Sequence, residues 1–246
     1  MKLHPKFHQL SDISDDEVII DIGCGTATYW QTFLRSNPNL KLTLIEPDIK
    51  LLEIAIQNYS HFPNVTLKTQ TSDIPDHSFD KVFSFSVLEH VWNRKVFFSE
   101  AARLIKAGGV FHFNYDDGHF RNHLYRNRSM MYRVRNQVKT FLAPLWRFTH
   151  SYSRYQSSVS YEEVAELLHI NRLTIKYEWF YDLEGLSKLS SLLKDPLLIE
   201  FGNLVEQFII DANSMINSQD SKLSKDQYSF FWTFYASRGI TAIKIK

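Results

Sequence analysis

The sequence has little cysteine and no long apolar run. A single cysteine among 246 residues allows no internal disulfide, which favours a reducing compartment, and we expect a cytoplasmic protein. No stretch approaches the roughly 18 apolar residues that a membrane-spanning helix needs, so we expect no transmembrane segment. The opening residues MKLHPKFHQLSDISDDE lack the apolar core of a secretory signal, and we expect none.

Net charge is also small. The value of +1 argues neither for nor against a nucleic-acid partner. It hides an asymmetry, because residues 118–161 carry eight basic residues and no Asp or Glu, which leaves the rest of the chain acidic overall. The basic residues are Arg121, Arg126, Arg128, Arg133, Arg135, Lys139, Arg147 and Arg154.

The order of the predicted elements indicates an α/β fold. VIIDI is a short run rich in β-branched residues, typical of a strand buried inside a parallel sheet. Further strands are predicted in KLTLIEPD, NVTLKTQTSD, FDKVFSFSVLEHV and VFHFNY, with helices in TATYWQTFLRS and IKLLEIAIQNYS. Strands that alternate with helices at this spacing predict βαβ units and right-handed crossovers.

Further helices and strands are predicted from the fourth strand to the end of the chain. The fourth strand is predicted to run into a helix that continues through RKVFFSEAARLIKA until Gly108 and Gly109 end it. Ser160 and Glu163 have the spacing of a capping box and predict a helix in SYEEVAELLHI. The last two strands are predicted in RLTIKYEWFYD and QYSFFWTFYASRG.

One domain is predicted over residues 1–246, since this length lies near the upper edge of what one domain covers. Residues 118–158 are expected to form a basic insertion after the fifth strand, partly helical and interrupted at Pro144, which acts as a substrate cap. Residues 184–220 are expected to add helices before the last strand.

A glycine-rich turn follows the first strand. Such a turn, leading into a helix, places backbone N–H groups at the carboxyl edge of the sheet, where ligands of open α/β sheets bind. Gly23 and Gly25 bring no Cβ and allow a ligand to approach the backbone closely. Glu46, at the end of the second strand, can accept two hydrogen bonds from a ribose diol. The pattern predicts a nucleoside-containing ligand.

Asp21 and Thr28 narrow the choice of ligand. A dinucleotide fingerprint that starts at Gly23 needs a glycine where this chain has Thr28. The carboxylate of Asp21, two residues before that glycine, would repel a pyrophosphate but attract a ligand with an ammonium and a sulfonium group.

Four segments in the right order resemble the motifs of the class I S-adenosylmethionine-dependent methyltransferases, of type 11 or 23. They are DIGCGTAT, LIEP, TSDIPDHSFDKVFSFSVLEHV and AARLIKAGGVFHF, spread over residues 18–114. The third glycine of the first motif is Ala27 here. The resemblance implies a Rossmann-like, seven-stranded, mostly parallel sheet with helices on both faces, and S-adenosyl-L-methionine as cofactor.

The resemblance also assigns roles to the glycine loop and the second strand. Asp21 would orient the amino group of the methionine portion, directly or through water. Gly23 and Gly25 would line the methionine and ribose portion, and Glu46 would hold the ribose hydroxyls.

The third and fourth strands receive roles in the same way. Asp73 would bind the adenine amino group and Ile74 would lie against the adenine ring. Phe85 and Ser86 would end the fourth strand beside the methyl donor.

A hydroxyl acceptor needs a base that removes its proton. The candidates follow the fourth and fifth strands, and we select His119, with His90 and Asp116 as alternatives. No metal is predicted, because Ser86 replaces the first acid of the E-x-x-E-H pattern with which some quinone-pathway O-methyltransferases bind a divalent metal. The other candidates considered are His112, Asp117 and His123.

The resemblance implies methyl transfer to a small-molecule or glycan-type acceptor, most simply on oxygen. The basic insertion would cover the acceptor and recognise an anionic group on it. Contact of this segment with a membrane surface stays open. Two alternatives also stay open: an RNA methyltransferase that binds phosphates through the insertion, and a non-catalytic regulatory subunit that retains the cofactor pocket. No DNA partner is expected, and a homo-oligomer is left open.

Overall fold

A single sheet organises the computed structural model, which describes residues 13–116, 159–181 and 237–245 together with residues 138, 142 and 157. Seven strands within these ranges lie in the order β3-β2-β1-β4-β5-β7-β6. Neighbours are parallel, except that β7 is antiparallel to both β5 and β6. The bounds are β1 Val18–Ile22, β2 Lys41–Ile45, β3 Val65–Lys68, β4 Phe79–Phe85, β5 Ile105–Asp116, β6 Leu173–Tyr181 and β7 Ser237–Lys244. The predicted sheet is confirmed.

Four α-helices are described in the same ranges: α1 Trp30–Ser36, α2 Ile49–Tyr59, α3 Arg94–Leu104 and α4 Tyr161–Ile170. A short 3-10 helix, Leu88–His90, follows β4. The predicted cap of α4 is present, because the Ser160 hydroxyl accepts a hydrogen bond from the Glu163 N–H at 3.1 Å.

Successive strand residues enter two different cores, so helices cover both faces of the sheet. Ile20 and Val82 pack with side chains of α3 and α4, whereas Ile19 and Phe83 pack with side chains of α1. This separation follows from the alternation of side chains along a strand. The apolar run of β1 is therefore that of a strand buried on both faces, as predicted.

The helix before β5 differs from the prediction. It does not continue from β4, because a break after His90 separates the 3-10 helix from α3, which begins after the capping residue Asn93. It ends at Leu104, and Gly108 and Gly109 lie within β5 instead of ending the helix. The pairing of β4 with β5 shifts register at this point. A Cβ at Gly109 would lie 2.7 Å from the Asp80 carbonyl oxygen, so the glycines serve an irregularity in the strand.

Two strand bounds also differ. β3 ends at Lys68 rather than near Asp73, because its partner β2 ends opposite it at Ile45. β7 begins only at Ser237, and its predicted aromatic part, residues 227–236, lies outside the described residues. The helices predicted in 184–220 lie outside them as well, as does all of the insertion 118–158 except residues 138, 142 and 157.

Candidate cofactor site

The loop between β1 and α1 is held against the end of β2. The Gly23 and Cys24 N–H groups donate to the Ile45 carbonyl at 2.8 and 3.0 Å. Gly25 has a φ of +58°, in the left-handed region that favours glycine, and its N–H donates to Glu46 Oε2 at 2.7 Å. Backbone and side-chain bonds thus fix the loop at the carboxyl edge of two neighbouring strands.

Glu46 lies directly after β2, with 6% of its surface exposed. Besides the bond from Gly25, its Oε1 accepts the Asp48 N–H at 2.9 Å. Burial raises the pKa of Glu46, and the two N–H groups oppose that effect. Each carboxylate oxygen has a second lone pair, so the side chain can still accept two hydrogen bonds from a diol. The position fits the predicted contact with ribose.

The space beside the loop is open at Gly25 and filled at Gly23. A Cβ added at Gly25 would meet no atom within 4 Å, whereas one at Gly23 would lie 2.5 Å from Val87 Cγ2. The loop therefore has a packed side and an open side. A ligand bound by Glu46 has room on the open side.

Asp21 is the most deeply placed of the predicted cofactor residues, with no exposed surface. Its Oδ2 accepts hydrogen bonds from the Tyr29 hydroxyl and, at 2.9 Å, from Trp30 Nε1. Its Oδ1 is buried and has no hydrogen-bond partner. Burial raises the pKa of Asp21 to about 7, although the two donors act in the opposite direction. A cationic group beside Oδ1 would give this carboxylate the partner it lacks.

The sequence analysis missed Tyr29 and Trp30 as functional residues. Tyr29 is the capping residue of α1 and Trp30 is the first residue of that helix. Both side chains donate to the same oxygen of Asp21, which leaves the other oxygen for a ligand. They were interpreted only as apolar residues of a helix. A sequence signal could have identified them: both are aromatic residues with a hydrogen-bond donor, and both follow the glycine loop by only a few residues.

Phe85 and Ser86 lie at the end of β4. Phe85 is buried and packs edge-on against the Tyr29 ring, with 5.9 Å between ring centroids. Ser86 is exposed and has a φ of +55°, and its N–H donates to Asn114 Oδ1 at 2.7 Å. The two residues thus connect the Asp21 cluster to the end of β5.

Asp73 and Ile74 follow β3, on the side of β1 where Glu46 lies. Asp73 pairs with Lys68 Nζ at 2.5 Å and its side chain is 58% exposed; the hydrogen bond from Lys68 lowers its pKa. Ile74 is buried, with 8% of its surface exposed. Their contacts with adenine stay predictions.

The candidate bases that the structure describes lie in different surroundings. His90 is half-buried in the 3-10 helix after β4, and its N–H donates to the Val87 carbonyl at 2.8 Å. Asp116 is the last residue of β5, so it lies within the strand and not beyond it. His112 is enclosed by Phe83 and Thr241, and burial lowers its pKa to about 3. His119, like Asp117 and His123, lies outside the described residues.

Ser157, near the end of the insertion, is bonded to the described fold beside this edge. The Ser157 N–H donates to the Glu89 carbonyl at 2.9 Å. The Arg94 guanidinium donates to the Ser157 hydroxyl at 2.5 Å, to Glu163 Oε2 at 2.7 Å and to the Leu88 carbonyl at 3.1 Å. Asp116, which precedes the insertion, and Ser157, near the end of the insertion, therefore both lie next to the ends of β4 and β5.

The described part of the chain shows neither a metal site nor a membrane-spanning helix. It holds no group of three or more His, Cys, Asp or Glu side chains placed to bind a metal ion. None of its helices is both long and apolar enough to cross a membrane. Cys24 is buried, and burial raises the pKa of its thiol well above the ordinary range.

Known proteins share this arrangement of loop and strands. Residues 20–113 match a family described as methyltransferase domain. Over this range the chain is similar to a methyltransferase domain. A demethylmenaquinone methyltransferase of Tropheryma whipplei (strain Twist) is 31% identical over 99 residues, which cover 39% of this chain and 41% of that protein. The chain thus matches about two fifths of the length of this relative.

Solved methyltransferase structures extend the similarity of fold beyond this domain. A phosphoethanolamine N-methyltransferase 2 of Haemonchus contortus, in complex with S-adenosyl-L-methionine, has a TM-score of 0.58 at 15% identity and covers 97% of this chain and 51% of that one. A geranyl diphosphate C-methyltransferase of Streptomyces coelicolor, in complex with S-adenosyl-L-homocysteine, has a TM-score of 0.56 at 14% identity and covers 94% and 74%. The fold is that of the class I methyltransferases.

The family depends on S-adenosylmethionine, and the residues of the methyltransferase domain fit that cofactor. Asp21 Oδ1 is a buried acceptor without a partner, as a bound ammonium group requires. The open side of Gly25 leaves room beside Glu46, whose remaining lone pairs suit a ribose diol.

Proposed function

We propose that this protein transfers a methyl group from S-adenosyl-L-methionine to a small-molecule or glycan-type acceptor, on oxygen. The observation that carries the proposal is the partnerless Oδ1 of Asp21, buried beside a glycine loop that is joined to Glu46. A ligand without an N–H or O–H group at this point would leave that oxygen without a donor, whereas the ammonium group of the methionine portion supplies a charge-assisted one.

Each predicted cofactor residue has a distinct task in this proposal. Asp21 holds the amino group, and Tyr29 and Trp30 fix the orientation of its carboxylate. Glu46 binds the ribose hydroxyls while the Gly25 N–H keeps it in place. Asp73 and Ile74 bind adenine, and Phe85 and Ser86 border the sulfur. The bound cofactor supplies an electrophilic methyl group, and the protein aligns an acceptor atom with it.

The acceptor would bind where the insertion meets the sheet. The eight basic residues of 118–161 favour an acceptor with an anionic group. The clamp of Arg94 on Ser157 supports this placement, since it holds the end of the insertion next to His90. For a hydroxyl acceptor, we propose that His119 removes the proton, with His90 or Asp116 in that role if it does not.

Calorimetric titration with S-adenosyl-L-methionine and S-adenosyl-L-homocysteine tests the cofactor assignment. Both should bind the wild type and raise its thermal midpoint by mass action. Glu46→Ala should weaken binding at least about tenfold, which corresponds to about 1.4 kcal/mol. Glu53→Ala, the same change at an exposed position of α2, is the control and should bind like the wild type. Equal affinity in both variants would mean that the pocket is misassigned.

Formation of S-adenosyl-L-homocysteine over a panel of hydroxylated sugars, sugar phosphates and hydroxy acids tests the activity. A hit should lose turnover in His119→Ala with cofactor affinity kept. Transfer to RNA instead, with strong salt dependence, would favour the RNA methyltransferase. Tight cofactor binding without transfer to any acceptor would favour the regulatory subunit.

A further inference from the structure

Asn114 is a buried amide at the end of β5 with only one half of its carboxamide bonded. Its exposed fraction is 1%, and its Oδ1 accepts the Ser86 N–H at 2.7 Å. This bond fixes the orientation of the side chain, because the flipped amide would place its NH2 group against the Ser86 N–H. The Nδ2 group must therefore point away from Ser86.

Nδ2 of Asn114 is buried and has no hydrogen-bond partner. Leaving such a donor unsatisfied is unfavourable, because the hydrogen bonds that it makes with water in the unfolded chain are lost. Buried polar groups without a partner are rare in folded proteins, and each needs an explanation such as a ligand or a bound water. The site thus contains two partnerless buried groups, an acceptor on Asp21 and a donor on Asn114.

Strand register separates these two groups. Asp21 of β1 pairs with Phe83 of β4, which pairs with His112 of β5, so Asn114 lies two strands away and two residues nearer the carboxyl edge. Strand spacing and rise then place the Cα atoms of Asp21 and Asn114 about 12 Å apart. One ammonium group cannot contact both side chains. If the methionine portion binds at Asp21, Asn114 belongs to the second reactant.

Asn114 also lies beside the residues proposed to border the methyl group. It pairs directly with Phe85 in the register of β4 and β5, and it holds the Ser86 backbone at a φ of +55°. One side chain thus contacts the turn beside the proposed methyl donor and carries its partnerless Nδ2 group next to that turn.

We propose that Asn114 Nδ2 donates a hydrogen bond to an oxygen of the methyl acceptor and so sets its position against the methyl group. The inference rests on the proposed function. Because an NH2 group only donates, the methyl acceptor must present an oxygen lone pair there, on a carbonyl, carboxylate, phosphate or hydroxyl group. A purely cationic amine lacks one and is selected against.

The side-chain NH2 resonances of Asn114 in 15N-labelled protein test this, with formate as the probe and S-adenosyl-L-homocysteine present or absent. The Asn114 pair is identified by its loss in Asn114→Asp, which keeps an oxygen for the Ser86 N–H and replaces the donor by an acceptor. We expect formate to shift this pair in the S-adenosyl-L-homocysteine complex, and to bind Asn114→Asp at least about tenfold more weakly. The Asn64 pair is the control, since Asn64 Nδ2 already donates to the Leu40 carbonyl at 2.5 Å.

The remaining outcomes are also decisive. A crystal structure of the wild-type complex with formate should place a carboxylate oxygen within hydrogen-bond distance of Nδ2, which keeps the test valid if Asn114→Asp does not fold. If S-adenosyl-L-homocysteine alone shifts the Asn114 resonances, Nδ2 contacts the cofactor. If the resonances do not respond to formate and the crystal structure shows a fixed water at Nδ2, the group has only a structural role. Either result overturns the proposal. If S-adenosyl-L-homocysteine does not bind, the proposed function fails, while the formate titration of the free protein still reports on Asn114.

Discussion

Trp30 Nε1 donates a hydrogen bond to Asp21 Oδ2 over 2.9 Å, and neither residue has exposed surface. The bond joins the first helix to the first strand beneath the glycine loop. Together with the Tyr29 hydroxyl it occupies one carboxylate oxygen and leaves the other without a donor. The cofactor-free protein therefore keeps a carboxyl group in surroundings that disfavour its charge.

Stability should fall with rising pH because of Asp21. Burial raises its pKa from 3.8 to about 7 in the folded protein. Between these values the folded state holds a proton that the unfolded chain has lost, so the free energy of unfolding decreases as pH rises through this range, by a few kcal/mol in order of magnitude. Urea denaturation from pH 4 to about 8 should show this slope in the wild type and a smaller one in Asp21→Asn.

Two features make that comparison specific. Both proteins keep Glu46 and His112, so the difference between the two slopes isolates Asp21 together with its electrostatic coupling to Glu46. Asp16→Asn, at an exposed position, should keep the wild-type slope. Parallel curves for the wild type and Asp21→Asn would show that Asp21 is ionised in the folded protein throughout.

Cofactor binding should release a proton. An ammonium group beside Oδ1 favours the ionised carboxylate and lowers the pKa of Asp21. At pH 6, titration with S-adenosyl-L-homocysteine should therefore release up to about one proton. Calorimetry in two buffers of different ionisation enthalpy measures it, and the affinity should rise from pH 5 to about 7. A heat of binding that is independent of the buffer would contradict the contact with Asp21.

Substitutions of the two loop glycines should have different effects. Gly25→Ala meets open space, so it should lose only about 1 to 2 kcal/mol of stability from its left-handed backbone. Its methyl group would enter the cofactor space, and affinity for S-adenosyl-L-homocysteine should fall more than about tenfold. Gly23→Ala meets Val87 Cγ2 at 2.5 Å and should mainly lose stability.

Val87→Ala tests the cause in the second case. It removes the atoms that an alanine at position 23 would meet, so the double variant should recover part of the stability lost in Gly23→Ala. Urea denaturation and calorimetric titration measure both quantities. Similar losses of affinity in the two single variants would refute the division into a packed and an open side.

Arg94→Met should weaken the attachment of Ser157, near the end of the insertion, to the rest of the fold. The change removes donors from the Ser157 hydroxyl, Glu163 and the Leu88 carbonyl, and it should reduce stability by about 2 kcal/mol. The Ser157 amide, bonded to the Glu89 carbonyl, should exchange its hydrogen faster. Arg35→Met, at an exposed position of α1, is the control. Unchanged exchange at Ser157 would mean that Arg94 does not hold this segment.

Periodicity and turn chemistry were sufficient to predict the parallel half of the sheet. Apolar runs such as VIIDI have few alternatives once they alternate with helices. The bounds that failed depend on partners distant in sequence. β3 ends where β2 offers no further residue, and Gly109 is required by its closeness to the Asp80 carbonyl rather than by the helix before it.

The sequence indicates candidate site residues where a motif fixes the backbone, and their contacts with the cofactor stay predictions. Asp21, Gly25 and Glu46 meet at the carboxyl edge because strand ends and a short loop leave them no other place. The roles of Trp30 and Asn114 were not predicted, because their side chains bond to groups that only the packed fold brings close. Sequence patterns record which face of an element is apolar, and they carry less information on which donor meets which acceptor across it.

The place of β7 in the sheet has a consequence for synthesis on the ribosome. β7 comes last among the described strands, yet it lies between β5 and β6 and provides their pairing partner. Until Ser237–Lys244 has emerged, β5 has a bare edge and β6 has no strand beside it. The edge of β5 stays unpaired while the residues between β5 and β7 are synthesised, when intermolecular strand pairing is a hazard that chaperones guard against.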